Sequence, residues 1–321
     1  MNNRRKGIVA IVASAFGFAL MAACVRLCDD FGASVPCFEK SFFRNFVALV
    51  IAAVALFRGG RRSGPTFALP GDSPFRVVGA LLVRSVLGTI GIFSNFYALS
   101  HIPIADGQTL NKTAPFWTLV FAWTFVGERA SARQLAAVLA AFLGAVLVVK
   151  PGFAGAASFP LAMGLLGGVC AGGAYAAVRA LGRDGVNPSL IVFVFSAFSC
   201  VASVPFVMAD FVPLTAAQLF VLIGAGAAAA MGQFGVTLAY RYAAPREIAV
   251  FDYTNILFTA ALGYWLFGQV PDPLSAVGML IIIAAAILLR SIDRRNAAVG
   301  EISGLETRKN NFVTCRTKPV F

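Results

Sequence analysis

Thr113–Glu128 reads TAPFWTLVFAWTFVGE, and Thr254–Gln269 reads TNILFTAALGYWLFGQ. Laid one over the other at a constant offset of 141 with no gap, Thr113 meets Thr254, Thr118 meets Thr259 and Gly127 meets Gly268. Aromatic positions coincide too: Trp117 falls on Phe258 and Trp123 on Tyr264. The same offset carries Asp106 onto Glu247 and Asn111 onto Asp252. Apolar segments resemble one another by composition alone. Composition does not align threonines, glycines and rings over 16 residues, so these segments read as two copies of one unit.

Working outward, the copies sit in a chain that is 59% hydrophobic and only 12% charged, with a mean hydropathy of +0.82. Soluble domains carry roughly 25% charged residues. Too few polar side chains are present to cover a water-facing surface, which excludes a soluble globule, a disordered chain and a coiled coil. A helix needs about 20 apolar residues to cross the hydrocarbon. Segments of that kind fall at roughly 7–28, 38–57, 76–99, 103–127, 131–149, 161–181, 189–208, 216–240, 246–268 and 273–290. The expected fold is an all-α integral membrane protein of ten transmembrane helices.

The net charge of +12 would suggest nucleic acid in a soluble protein. Here position decides otherwise. With the N-terminus placed in the cytoplasm, 20 of the 26 Lys and Arg residues fall on the inner side, including Arg4, Arg5, Lys6, Arg129, Arg133, Arg179, Arg183, Arg241 and Arg246. Only Arg26, Lys40 and Lys150 mark the outer edge, while Arg44, Arg84 and Lys112 lie within spans. This is the positive-inside bias of a membrane protein, so nucleic acid is not an expected partner. Both termini are expected in the cytoplasm.

Two copies of five spans each must cross in opposite directions, because five is odd. The chain therefore divides into a first repeat over 8–150, a second over 161–290 and a cytoplasmic tail over 291–321. Inverted repeats of this kind recur in secondary transporters, where a pseudo-symmetric pair opens a central site to each side in turn.

Polar side chains within the spans are costly, and they pair, snorkel or face the bundle interior. Arg84, Gly88, Gly91 and Asn95 share one face of span 3. Arg84 lies about 12 Å along the helix from its inner end. It reads either as a guanidinium facing a cavity or as a structural ion pair or snorkelling group. Asp106, Gln108, Asn111, Lys112, Thr113 and Thr118 give span 4 a broad polar face, and Pro115 removes the helix donor to the Asn111 carbonyl. Lys112 either lines a cavity there or neutralises an acid on another helix. Span 9 carries Asp252, Asn255 and Thr259, and span 8 carries Gln233 and Thr237. Arg44 in FFRN of span 2 is expected to snorkel outward rather than stand at a cavity mouth. Gly164, Gly168 and Gly172 form two GxxxG steps and read as helix packing.

The expected substrate-binding residues are Arg84, Asn95, Asn111, Lys112, Gln233, Asp252 and Asn255. Arg84 and Lys112 would draw a carboxylate, Asp252 an amine or a proton, and the amides would orient the solute. Enzyme chemistry finds no support. His101 is the sole histidine, the six cysteines show no zinc spacing, and no GxxxxGK[ST] loop is present, so neither a metal nor another cofactor is expected.

The chain resembles the drug/metabolite transporter superfamily, in particular its ten-span EamA-type members. The likeness is carried by FFRNFVAL at Phe42–Leu49, NFYALSHIPIADGQTLNKTAPFWTLVFAWTFVGER at Asn95–Arg129 and FDYTNILFTAALGYWLFGQVPDPLSAVG at Phe251–Gly278. Gln269 stands where the second copy would carry an acid after Gly268. The resemblance implies two inverted five-helix halves, cytoplasmic termini and movement of small organic molecules driven by a substrate or proton gradient. The expectation is an exporter of a small polar or zwitterionic metabolite such as an amino acid, in a bacterial inner membrane. Its expected partners are the solute, protons, membrane lipids and a second copy of itself. A channel-like facilitator and a non-transporting membrane scaffold are the alternatives.

Overall fold

A computed structural model describes residues 3–63, 74–101, 110–149, 158–268 and 273–288. Asp106, Gln108, Gln269 and the tail from 291 lie outside them. Every long element among the described residues is helical: α1 (Asn3–Cys28), α2 (Cys37–Ser63), α3 (Pro74–His101), α4 (Ala114–Phe121), α5 (Ala132–Val149), α6 (Ser158–Arg183), α7 (Pro188–Ala209), α8 (Ala216–Tyr242), α9 (Thr254–Phe267) and α10 (Pro273–Leu288). Large apolar side chains such as Val50, Phe57, Val201, Phe220, Trp265 and Leu280 face outward, which is the surface a bilayer requires.

Two close helix pairs set the architecture. Along α1, Gly7 lies against Ala239 and Ala243 of α8, and Gly17 lies against Ala228 and Gly232. Residue numbers rise along α1 as they fall along α8, so the helices are antiparallel. The Ser14 hydroxyl adds a bond of 2.7 Å to the Gly232 carbonyl. Along α3, Gly91 and Asn95 meet Gly167, and Ala98 meets Gly164 of α6, again antiparallel. Exchanging α1 with α6 and α3 with α8 converts one pair into the other. The same exchange turns the α1–α9 packing into α6–α4, and leaves α2 facing α7. It also leaves α5 facing α10, where a Cβ on Gly144 would come 2.7 Å from the Gly278 carbonyl oxygen. The fold is two inverted five-helix repeats.

The glycine steps of α6 serve this packing. Gly164 and Gly168 seat Leu110, and Gly172 seats the backbone of Trp117 and Thr118. Gly91 likewise admits α6. Gly88 instead makes room for the Arg84 guanidinium and the Phe195 ring.

Two of the ten spans are not continuous helices. Six helices among the described residues are long and apolar enough to cross a membrane: α1, α2, α3, α6, α7 and α8. The fourth and ninth spans are broken at equivalent positions. In the first copy, the helix gives way to a turn at Lys112–Thr113 and restarts at Ala114 with Pro115 in its first turn. In the second copy, a short turn Pro245–Ile248 and a 3-10 segment Ala249–Tyr253 precede α9.

The repeated threonines hold both breaks in the same way. Thr113 donates its hydroxyl to the Leu110 carbonyl at 2.6 Å, and Thr254 donates to Phe251 at 2.7 Å. One turn on, Thr118 donates to Ala114 at 2.9 Å and Thr259 to Asn255 at 2.8 Å. All four donors and acceptors keep the offset of 141. Both copies end alike: Gly127 and Gly268 close their helices at φ of 75° and 64°, a left-handed conformation that a side chain resists.

Candidate functional site

The two breaks face each other across the pseudo-two-fold axis. Lys112, in the first, donates its ammonium to Oδ1 of Asn255 at 2.7 Å, just past the second. The Tyr253 hydroxyl answers by donating to the Lys112 carbonyl at 3.0 Å. Lys112 and Tyr253 are equivalent residues of the two copies, so this bond joins a position to its own image. Asn255 is held on both sides, because its amide nitrogen also donates to the Ala15 carbonyl of α1 at 2.9 Å. The Leu110 and Lys112 carbonyls, flanking Asn111, thus each accept a side-chain hydroxyl within the protein.

Asp252 lies beside this junction, within electrostatic range of Lys112, Tyr175, Tyr240 and Tyr253. Among the described residues its carboxylate makes neither an ion pair nor a hydrogen bond, and the backbone carbonyl accepts the Thr254 N–H. Helices surround both Asp252 and Lys112, yet both remain half-buried rather than sealed.

A second polar group is built on α3, α7 and α8. Arg84 is only 2% exposed and donates Nη2 to Oε1 of Gln233 at 3.0 Å. Its guanidinium lies 3.9 Å from the Phe195 ring centroid, a cation–π contact in a dry setting. Its Nε is buried with no partner. Gln233 in turn accepts the Thr237 hydroxyl on its backbone carbonyl at 2.7 Å.

Of the seven residues expected at the site, four form two bonded pairs, Arg84 with Gln233 and Lys112 with Asn255, and Asp252 stands beside the second. Asn95 sits at the α3–α6 contact with its Oδ1 buried and unpartnered. Asn111 is half-buried at the break and makes no hydrogen bond among the described residues. The outward snorkel expected of Arg44 is corrected. Its guanidinium lies 5.9 Å from the Phe18 ring of α1 and within electrostatic range of Arg84, so it points into the bundle.

Tyr175 is the residue that sequence reasoning passed over. It stands on α6 within range of Arg44, Arg84 and Asp252 together, linking the two polar groups, and its ring stacks on Tyr240 with centroids 5.5 Å apart. A lone phenol in the run AGGAYAA, where every neighbour is Gly or Ala, was the available signal.

At the end of the bundle that holds the start of α1, Arg179 donates Nε and Nη2 to Oε1 of Glu128 at 2.8 and 2.6 Å. It also donates Nη1 to the Tyr240 carbonyl at the end of α8, at 3.0 Å. Glu128, the acid after Gly127, thus ties the α4–α5 connection to α6 and α8.

No three His, Cys, Asp or Glu side chains converge on a metal-sized point among the described residues. Residues 5–150 and 158–291 match the model of the EamA-like transporter family. A pseudopaline exporter of Pseudomonas aeruginosa is 32% identical over 286 residues, covering 89% of this chain and 96% of its own. A riboflavin transporter of Rhizobium johnstonii is 26% identical over 67% of this chain and 70% of its own. An S-adenosylmethionine uptake transporter of Rickettsia bellii is 24% identical over 80% and 85%. A solved crystal structure 18% identical covers 88% of this chain and 98% of its own with a TM-score of 0.71, a likeness of fold. This chain belongs to the EamA-like transporter family: it is a multi-pass membrane protein and a secondary transporter of a small molecule, not an enzyme.

Proposed function

We propose that the protein exports a small polar or zwitterionic organic metabolite, held between its two halves at the paired breaks. The observation that carries this reading is the half-buried Asp252 beside the Lys112–Asn255 bond. An acid and a cation of opposite halves border one internal space, and neither neutralises the other by contact. A solute bearing both charges can satisfy both groups. Asp252 takes the amine, Lys112 and Arg84 favour the carboxylate, and Asn111, Asn255, Gln233 and Asn95 orient the rest by hydrogen bonds. The export direction follows the 32% identical exporter. Cytoplasmic termini in a bacterial inner membrane are supported by the 20 basic residues on one side of the ten spans. On this reading the working halves are 8–150 and 161–290, with 291–321 as a cytoplasmic tail.

The test is counterflow in proteoliposomes loaded with a metabolite mixture, with and without a pH gradient. Saturable exchange that Asp252→Asn reduces supports the reading. Non-saturable flux would identify a channel-like facilitator, and absence of any flux a scaffold. A response to the pH gradient would assign proton coupling.

A further inference from the structure

We propose that Arg44 and Arg84 form a paired-guanidinium subsite for carboxylates, so that the solute is an amine bearing two or more carboxylates rather than a neutral zwitterion. This rests on the transport reading above and narrows it.

Arg44 on α2 and Arg84 on α3 carry positive charge in the interior without a counter-ion among the described residues. The Nε of each is buried and unpartnered. Arg84 spends one bond on Gln233 and lies on the Phe195 face, while Arg44 lies over Phe18. An aromatic face and a neutral amide lessen the cost of a buried cation but do not neutralise it. The two guanidinia also repel each other, so the arrangement is unfavourable until an anion arrives.

The charge balance sets the class of solute. Arg44, Arg84 and Lys112 bring three positive charges to the polar groups, and Asp252 brings one negative charge. A neutral amino acid adds nothing to that excess. Each additional carboxylate removes one unit of it, and a guanidinium fork matches a carboxylate in two hydrogen bonds. Arg44, half-buried, is the reachable member, and Arg84, within electrostatic range of it, is buried. Tyr175 lies within electrostatic range of both arginines and of Asp252, half-buried and with no side-chain hydrogen bond among the described residues, so its hydroxyl is free to bridge the carboxylate and amine ends.

The full-length protein is purified, and its thermal stabilisation is titrated with L-alanine, L-glutamate and N-carboxymethyl-L-glutamate, which carry one, two and three carboxylates on one amine. The expected apparent Kd falls at least tenfold from alanine to the tricarboxylate. Arg44→Gln is expected to remove that preference, whereas Arg44→Lys retains part of it. Arg84→Gln should do the same. Where it fails to fold, the Arg44 variants carry the test. Equal affinity across the series, no stabilisation by any member, or a preference unchanged in Arg44→Gln would each overturn the proposal. Counterflow keeps the two readings apart. Saturable exchange of the tricarboxylate at equal rates in wild type and Arg44→Gln overturns the carboxylate subsite and leaves transport standing, whereas absence of all flux removes both.

Discussion

Tyr253 donates its hydroxyl to the backbone carbonyl of Lys112 at 3.0 Å, and the two residues occupy the same position in the two halves of the molecule. An inverted pair has one axis along which equivalent residues can meet, and this bond marks it. Lys112 Nζ then reaches two residues further to Asn255, so each broken span is pinned by the other.

Asn255→Leu removes the acceptor of Lys112 and the donor to Ala15 together. Hydrogen bonds to charged groups contribute about 1.5–3 kcal/mol, and an orphaned buried cation costs more. The expected result is a destabilisation of about 3 kcal/mol, read as a lower unfolding midpoint in detergent. Asn255→Asp, which keeps an acceptor for Lys112, should lose less.

Asp252→Asn should leave the yield of folded protein and its thermal midpoint close to wild type, because the Asp252 carboxylate makes no bond among the described residues that the fold relies on. Counterflow per folded molecule should fall at least tenfold. A loss of yield with unchanged specific transport would make Asp252 a structural residue.

Glu128→Gln withdraws the charge that balances Arg179, whose side chain is 15% exposed against 12% for Glu128. Breaking a buried pair from one side costs about 3–5 kcal/mol, while replacing both partners with apolar residues is often near neutral. The double variant Glu128→Leu with Arg179→Met should therefore be more stable than Glu128→Gln alone. Chemical or thermal unfolding of the three proteins checks the order.

Gly172→Ala should destabilise by about 1–3 kcal/mol, the usual cost of overpacking. Its Cβ would fall 2.9 Å from the Thr118 backbone nitrogen, where no side chain can swing aside. Gly224→Ala, on the same scale of substitution, meets nothing within 4 Å and should stabilise α8 by about 0.5–1 kcal/mol through helix propensity. Paired melting curves distinguish packing glycines from spare ones.

The sequence by itself determined the membrane class, the span positions and the inverted repeat, because these depend on composition and on spacing along the chain. Thr113 and Thr254, Thr118 and Thr259, and Gly127 and Gly268 could be matched by their offset, and each pair makes the same local bond or turn. Hydropathy could not reveal that spans 4 and 9 are broken. Pro115 announced the first break, but the second lies before Ile256 with no proline there, and an apolar 3-10 segment reads the same as an apolar helix. Pairings across the bundle were equally hidden. Nothing in the order of residues says that Arg84 meets Gln233, that Arg44 turns inward to Phe18, or that Tyr175 lies within electrostatic range of three charged groups. Those relations join residues of separate helices, and only helix packing through Gly17, Gly91, Gly167 and Gly232 sets the distances at which their side chains meet.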